Sequence, residues 1–121
     1  MAGMCLSELR TYRDRGHPPA RVFVESGTYH GATAQRALSA FAVVHTIELA
    51  PDLITQFHPL LEKIGVHCHA GSSTDILPWL AEQITEPACW YLDAHFTRAL
   101  PGAASGPLPL AVELTVLAGR D

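Results

Sequence analysis

The chain has 121 residues, and its 48% apolar and 17% charged side chains describe one domain with a core rather than a disordered segment. Eight basic against twelve acidic residues leave a formal net charge of −4, which gives no electrostatic case for nucleic-acid binding. No apolar run reaches membrane-spanning length, and the start at Met1–Cys5 lacks a basic-then-apolar leader pattern, so the expected location is cytoplasmic.

Short strand-like runs alternate with helical patterns. Residues 4–14 read as a helix with Leu6 and Leu9 on one side, stopped by Gly16-His17-Pro18-Pro19. Arg21–Glu25 reads as a buried strand ending in an acid. Residues 31–41 carry Ala34, Ala37, Leu38 and Phe41 at helical spacing. Val43–Glu48 is a second strand, again ending in an acid. Pro51 opens the next helix, where the first turn tolerates proline, and Leu53, Phe57, Leu60, Leu61 and Ile64 form its expected apolar stripe up to Gly65. Val66–His69 is a weaker third strand. Ser72 and Ser73 are candidate caps for a helix to about residue 84, with Asp75 completing a pattern like a capping box. Ile76, Leu77, Leu80, Ala81 and Ile84 are its expected buried face, and Cys89–Asp93 is a fourth strand. The Pro-, Gly- and Ala-rich residues 98–109 read as a loop, and Leu110, Val112, Leu114 and Leu117 as a last helical segment. Strands alternating with helices imply crossover units and a parallel sheet covered on both faces. Cys5, Cys68 and Cys89 have no Cys-x-x-Cys spacing, so neither a redox dithiol nor a thiolate zinc site is suggested.

Glu25-Ser26-Gly27-Thr28-Tyr29-His30-Gly31 joins the first strand to its helix. A ligand lying across the end of a parallel sheet needs the close backbone approach that glycine permits, and gains from free N–H groups at the next helix start. Glu48 ends the second strand, where an acid can accept both ribose hydroxyls of an adenine-bearing cofactor. A bland account is also open: the glycines serve tight packing, and Glu48 caps the helix that begins near Pro51. The turn lacks Gly-x-Gly-x-x-Gly, and Tyr29 and His30 fill the room a pyrophosphate would need. No Gly-Lys-Ser or Gly-Lys-Thr phosphate loop is present. Negative charge at Glu25 suits a ligand carrying an ammonium and a sulfonium.

On these residues the chain resembles the class I S-adenosylmethionine-dependent methyltransferases. More narrowly, it is similar to bacterial small-molecule methyltransferase-like proteins with an acid-x-Gly-Thr-x-x-Gly turn and a Leu-Asp-Ala-His strand end. The resembling segments are Phe23–Gly31, Thr46–Leu49, Gly71-Ser72-Ser73, Trp90–His95 and Pro109–Leu114. The resemblance implies a Rossmann-like three-layer α/β sandwich with strand order 3-2-1-4 and S-adenosylmethionine as cofactor. It also implies that Glu25 and Gly27 lie near the methionine part, that Glu48 holds the ribose and that Gly71, Ser72 and Ser73 edge the adenine. Thr28, Tyr29 and Gly31 complete the expected cofactor-binding set. Many relatives carry an acid where Ser72 stands, so the expected grip on the adenine is weaker here.

Asp93 ends the fourth strand and His95 follows, at the edge where such folds bind ligands. A methyl-accepting hydroxyl needs a base, or a metal that lowers its pKa; His95 is the candidate base, and Asp93 could orient it or bind a divalent metal. A metal is not expected, since Asp93 and Glu113 alone cannot satisfy a hard cation. Local roles, Asp93 capping a turn and His95 bracing a loop, stay open. His67 and His69 share one face of a strand, a metal pair or simply a partly exposed face. His45 and His58 read as structural or solvent-facing, and His30 as facing either the ligand or a helix start.

The organisation expected is one domain over 1–121. A helix and turn cover 1–20, the nucleoside-binding core 21–95, and a loop with a terminal helical segment 96–121. Against the family pattern the sheet is truncated after the fourth strand and its following helix. The apolar fourth strand is then an edge that either the last segment or a partner must cover, and a homodimer through that side is expected, since the last segment is short. Two functions follow. One is a methyltransferase acting on a small hydroxyl-bearing acceptor. The other is a non-catalytic adenosyl-binding module, or a fragment of a longer methyltransferase.

Overall fold

A computed structural model describes residues 3–92 and 115–116. Helix α1 (Leu6–Asp14) starts at Cys5, whose backbone N–H donates to Glu8 Oε1 at 3.0 Å, one arm of a capping box. Leu9 is its buried anchor. Two arginines fasten the helix to its neighbours: Arg36 Nη1 donates to the Met4 carbonyl at 3.1 Å and Arg13 Nη1 to that of Ala40 at 3.3 Å. Strand β1 (Val22–Ser26) is buried along its whole length because it lies between two others.

Helix α2 (Ala32–Ala37) is shorter than the apolar spacing of 31–41 predicts. Beyond Ala37 the chain tightens through i to i+3 bonds, Ser39 N to Arg36 O at 3.0 Å and Ala40 N to Ala37 O at 2.9 Å. This turn lets Phe41 pack on Phe23, with ring centroids 5.2 Å apart, before strand β2 (Val43–Glu48) begins. Helix α3 (Pro51–Lys63) has Pro51 in its first turn as expected. Its buried face is rotated from the predicted stripe. His58 and Leu61 point inward, while Leu60 and Ile64 are 59% and 46% exposed. A histidine can hold the inward position because it finds a polar partner there, described below.

Strand β3 (His67–Ala70) leads into helix α4 (Ser73–Gln83), capped by Ser72, whose Oγ accepts from Thr74 N at 3.2 Å. Strand β4 (Ala88–Tyr91) follows, and Thr115–Val116 form a two-residue strand β5. The sheet order is β3-β2-β1-β4-β5, so the parallel part has the expected order 3-2-1-4. β5 is antiparallel to β4, with Cys89 opposite Val116 and Trp90 opposite Thr115. One expectation is thereby corrected, since Thr115–Val116 lie in a strand where the apolar pattern predicts helix, and that strand covers β4 over Cys89 and Trp90. The reason is the edge itself: unpaired backbone on a strand as apolar as β4 is satisfied by the nearest chain that can extend. The case for a homodimer through this side loses that part of its premise. Leu110, Val112, Leu114 and Leu117 lie outside the described residues.

The core has two layers. One face of the sheet packs Phe23, Val44 and Cys89 against Leu9, Ala34, Ala37 and Leu61, so α1, α2 and α3 share that side. The other face packs Val22, Val24, Ile47 and Trp90 against Leu77 and Leu80 of α4. Strand alternation decides which polar residue meets which layer. Glu25 and Thr46 share a side with Phe23 and Val44, facing α3. His45, His67 and His69 face the α4 side.

Candidate functional site

The carboxyl ends of β1 and β2 carry the turn from Ser26 to Gly31. Gly27 N donates to the Ile47 carbonyl at 2.7 Å and Gly71 N to that of Glu48 at 2.9 Å, so the residues after β1, β2 and β3 are tied together. Glu25, Gly27, Thr28, Tyr29, Gly31, Glu48, Gly71, Ser72 and Ser73 therefore gather at one end of the sheet. The turn is folded against ordinary preference. Gly27 and Gly31 have φ of +91° and +85°, and Tyr29, a non-glycine residue, has φ of +49°. The glycines also answer a packing need. A Cβ on Gly27 would meet the Tyr29 ring at 3.0 Å, and one on Gly31 would meet Leu61 at 2.9 Å.

Glu48 explains how the Tyr29 backbone is held. Its Oε1 accepts from Tyr29 N at 3.0 Å, and its Oε2 accepts from Leu49 N and Ala50 N, both at 3.1 Å. Ala50 immediately precedes α3, so Glu48 fixes the backbone leading into that helix, although no side chain caps its first turn. A carboxylate has about four acceptor positions, and three backbone amides occupy most of them. Three of these positions are engaged, which leaves about one open. Tyr29 is 63% exposed and Leu49 is 67% exposed, so an aromatic ring and an aliphatic side chain flank the site on its open side.

Glu25 is 2% exposed, and burial pushes its carboxyl up to about 8, with the neighbouring Glu48 charge adding to the rise and a hydrogen bond from Thr46 opposing it. The shift favours the neutral acid at neutral pH. Thr46 Oγ1 lies 2.8 Å from Glu25 Oε2 and 2.7 Å from Thr28 Oγ1, which in turn lies 3.1 Å from His58 Nε2. Thr46 and His58 were not legible as site residues. The one signal available was that an inward-facing His on α3 needs a partner, and the apolar stripe concealed which way it faces.

Ser72 spends its hydroxyl on its own helix, accepting from Thr74 N and sharing a 2.6 Å bond with Thr74 Oγ1. Asp75 N meets the Ser72 carbonyl at 3.1 Å. Ser73 is buried. His30 is exposed and stacks on Phe57 with centroids 5.0 Å apart, which supports helix-start packing for it. Asp93, His95 and Glu113 lie outside the described residues.

On the opposite face His45 stacks between His67 and His69, with centroids 4.9 and 5.2 Å away, and its Nδ1 lies 3.0 Å from His69 Nε2. Trp79 of α4 covers His69 edge-on at 6.1 Å. Burial, then the neighbouring imidazoles, push His45 down to about 4. Among the described residues no group of three His, Cys, Asp or Glu is arranged to hold a metal. Cys68 and Cys89 are free thiols pushed up by burial to about 11 and about 12, so they are inert at neutral pH. Among the described residues no helix is long and apolar enough to cross a membrane.

No family model matches the sequence, and neither does any curated protein. A solved structure that resembles the fold is that of the 23S rRNA methyltransferase ErmE, with a TM-score of 0.48 and 15% identity over 76% of this chain. The chain spans 48% of that structure's length. The likeness is distant and partial, and it concerns the fold.

Proposed function

We propose that the protein is a cytoplasmic S-adenosylmethionine-dependent methyltransferase acting on a small hydroxyl-bearing acceptor, with the cofactor at the carboxyl ends of β1 and β2. The observation that carries the reading is the convergence there of a positive-φ glycine turn with two buried acids, in the order the sequence motifs require. Open backbone at Gly27 allows close approach, provided the Tyr29 ring above it swings aside. Glu48 has one acceptor position left for a ribose hydroxyl. Gly71, Ser72 and Ser73 edge the space beside it. Glu25, whose carboxyl burial pushes up to about 8, can ionise toward a cation, which suits a sulfonium better than a pyrophosphate.

When bound, the cofactor supplies an electrophilic methyl group. The chain's part is to orient it and to exclude water, with His95 as candidate base for the acceptor hydroxyl and Asp93 as its orienting partner. A second reading, a non-catalytic adenosyl-binding module, is favoured by one observation: Glu48 and Ser72 spend most of their hydrogen-bonding capacity on the protein's own backbone. A second copy of the chain meeting the β4 side would complete the acceptor pocket, and sedimentation at twice the chain mass would support that arrangement. Calorimetry tests the cofactor. S-adenosylmethionine should bind more tightly than NAD, and Glu48→Ala should weaken it by roughly 1–3 kcal/mol. Tighter NAD binding would sink the proposal. His95→Ala should abolish most turnover and leave cofactor affinity nearly intact. Cofactor binding without transfer to any hydroxyl acceptor would favour the module.

A further inference from the structure

The chain of side chains under the glycine turn runs from Glu25 on β1 through Thr46 on β2 and Thr28 in the turn to His58 on α3. All four residues are buried. Each threonine hydroxyl has one hydrogen to give, and this imposes a direction on the whole chain. If Glu25 is a carboxylate, it can only accept. Thr46 must then donate to it, Thr28 must donate to Thr46, and His58 must donate from Nε2–H to Thr28. If Glu25 is protonated on Oε2, every bond reverses, and Thr28 donates to a bare Nε2 on His58, whose proton then sits on Nδ1. With the proton on Oε2 no mixed arrangement keeps all the bonds, and a bond left broken in a buried site is costly, whereas a proton on Oε1 would leave the first direction intact.

We propose that these four residues form a proton relay, through which the ionisation of Glu25 at the sheet end sets the protonated nitrogen of His58 on α3. The transfer balances along the chain. The Oε2 proton of Glu25 passes to Thr46 Oγ1, the Thr46 proton to Thr28 Oγ1, and the Thr28 proton to His58 Nε2, each bond formed replacing one broken. A carboxylic acid and a neutral imidazole become a carboxylate and an imidazolium. In alkaline solution the imidazolium gives its Nδ1 proton to solvent. The proton that leaves the molecule thus comes from His58, while the charge appears on Glu25.

The surroundings support this division. Glu48 stands near both ends, disfavouring charge on Glu25 and favouring it on His58, and Glu62 of α3 also favours a cation there. Burial opposes the imidazolium and keeps His58 below its ordinary value. His69 lies on the opposite face of the sheet, where charge on His58 disfavours its own protonation, and the Cys68 thiol donates to the His58 backbone carbonyl at 3.7 Å. Tyr91 of β4 lies opposite Glu25 in register. The imidazolium is therefore a transit state, and the stable pair of states differs in tautomer.

This gives a signature that simple packing cannot imitate. An isolated neutral histidine keeps a fixed tautomer ratio as pH rises, whereas a relay makes the ratio follow a distant carboxyl. Nitrogen-15 spectra of the histidine rings and carbon-13 spectra of the glutamate carboxyls are recorded on the whole chain from about pH 6 to about pH 10. His58 is expected to exchange an Nδ1–H for an Nε2–H form, with a midpoint that coincides with that of the Glu25 carboxyl. Thr28→Val should leave the Glu25 titration in place and abolish the exchange at His58. Thr28→Ser should restore it. The wild-type titration decides alone if the valine variant fails to fold. A His58 that holds one tautomer through the Glu25 titration overturns the relay.

Discussion

The two faces of the sheet treat protons in opposite ways, although both draw on the same strand. On the α3 side of β2, Thr46 links a buried acid to a histidine, and burial makes Glu25 retain its proton up to about pH 8. On the α4 side, one residue earlier, His45 sits in a stack of imidazoles, and burial holds its own protonation down to about pH 4. Burial drives both shifts, and in both it favours the neutral form. The difference lies in what surrounds each group. Glu25 has hydroxyls that serve either protonation state. His45 has a neighbour that is useful only while the pair holds fewer than two extra protons, because the His45–His69 bond needs one bare nitrogen. The first arrangement can respond to a ligand, and the second is built to stay neutral.

The largest expected effect comes from Glu25. Its folded value lies above its ordinary 4.5, so the folded state holds a proton that the unfolded chain releases between about pH 4.5 and about 8. Stability from this group is full below that window and falls as pH rises through it, at about 1.4 kcal/mol per unit of pKa shift, several kcal/mol in all. Urea denaturation at stepped pH should show the decline, and Glu25→Gln should flatten it. A decline that persists in the glutamine variant would assign it to another group.

Glu48→Gln sharpens the same side of the comparison. It removes the like charge that helps hold the Glu25 carboxyl up, so the midpoint of the decline should move to lower pH. It also exchanges one acceptor oxygen for an amide donor, and the three backbone amides cannot all be met. A loss of roughly 1–2 kcal/mol at neutral pH is expected in the same denaturation series. An unmoved midpoint would mean that Glu48 and Glu25 do not sense each other.

His45 governs the acid limb. Its folded value lies below its ordinary 6.5, so its stability contribution is present above that value and is lost as pH falls toward about 4. The side chain is only partly buried, and solvent screening reduces the contribution to roughly 1 kcal/mol. His45→Phe should reduce this acid sensitivity, as read by thermal melts between about pH 4 and about pH 7. The smallest effect belongs to Trp79, which covers His69 yet is 52% exposed. Trp79→Ala should cost under about 1 kcal/mol and raise the histidine titrations toward ordinary values in proton spectra. Unchanged titrations would show that α4 does not shelter the stack.

Much of the fold was legible because the strands and helices are short, regular and well punctuated. Val43–Glu48 and the start at Pro51 stand where the pattern puts them. What stayed hidden shares one cause. An apolar stripe identifies a helix but fixes its rotation only to within a residue, so Leu60 and Ile64 were expected inside, and His58 could be read equally as structural or as solvent-facing. Thr115–Val116 misled for a related reason, since apolar residues at mixed spacing suit a helix or an edge strand until a partner edge is known. The acids Glu25 and Glu48 could be located at the strand ends, because strand period and a glycine turn determine position. Their engagement could not be read, because the partners Thr46, Tyr29 N and Ala50 N depend on register and backbone angles.

The claim that joins the two halves of the account is that the α3-side acid is matched to a positive ligand. Affinities of S-adenosylmethionine and its demethylated product differ chiefly by the sulfonium charge, so their ratio, measured by calorimetry from about pH 6.5 to about pH 9, reads the charge on Glu25 directly. The ratio should shift toward the sulfonium as pH rises through about 8, and Glu25→Gln should hold it constant. A ratio that does not change with pH in the wild-type protein, or a shift that survives in the glutamine variant, would contradict the account.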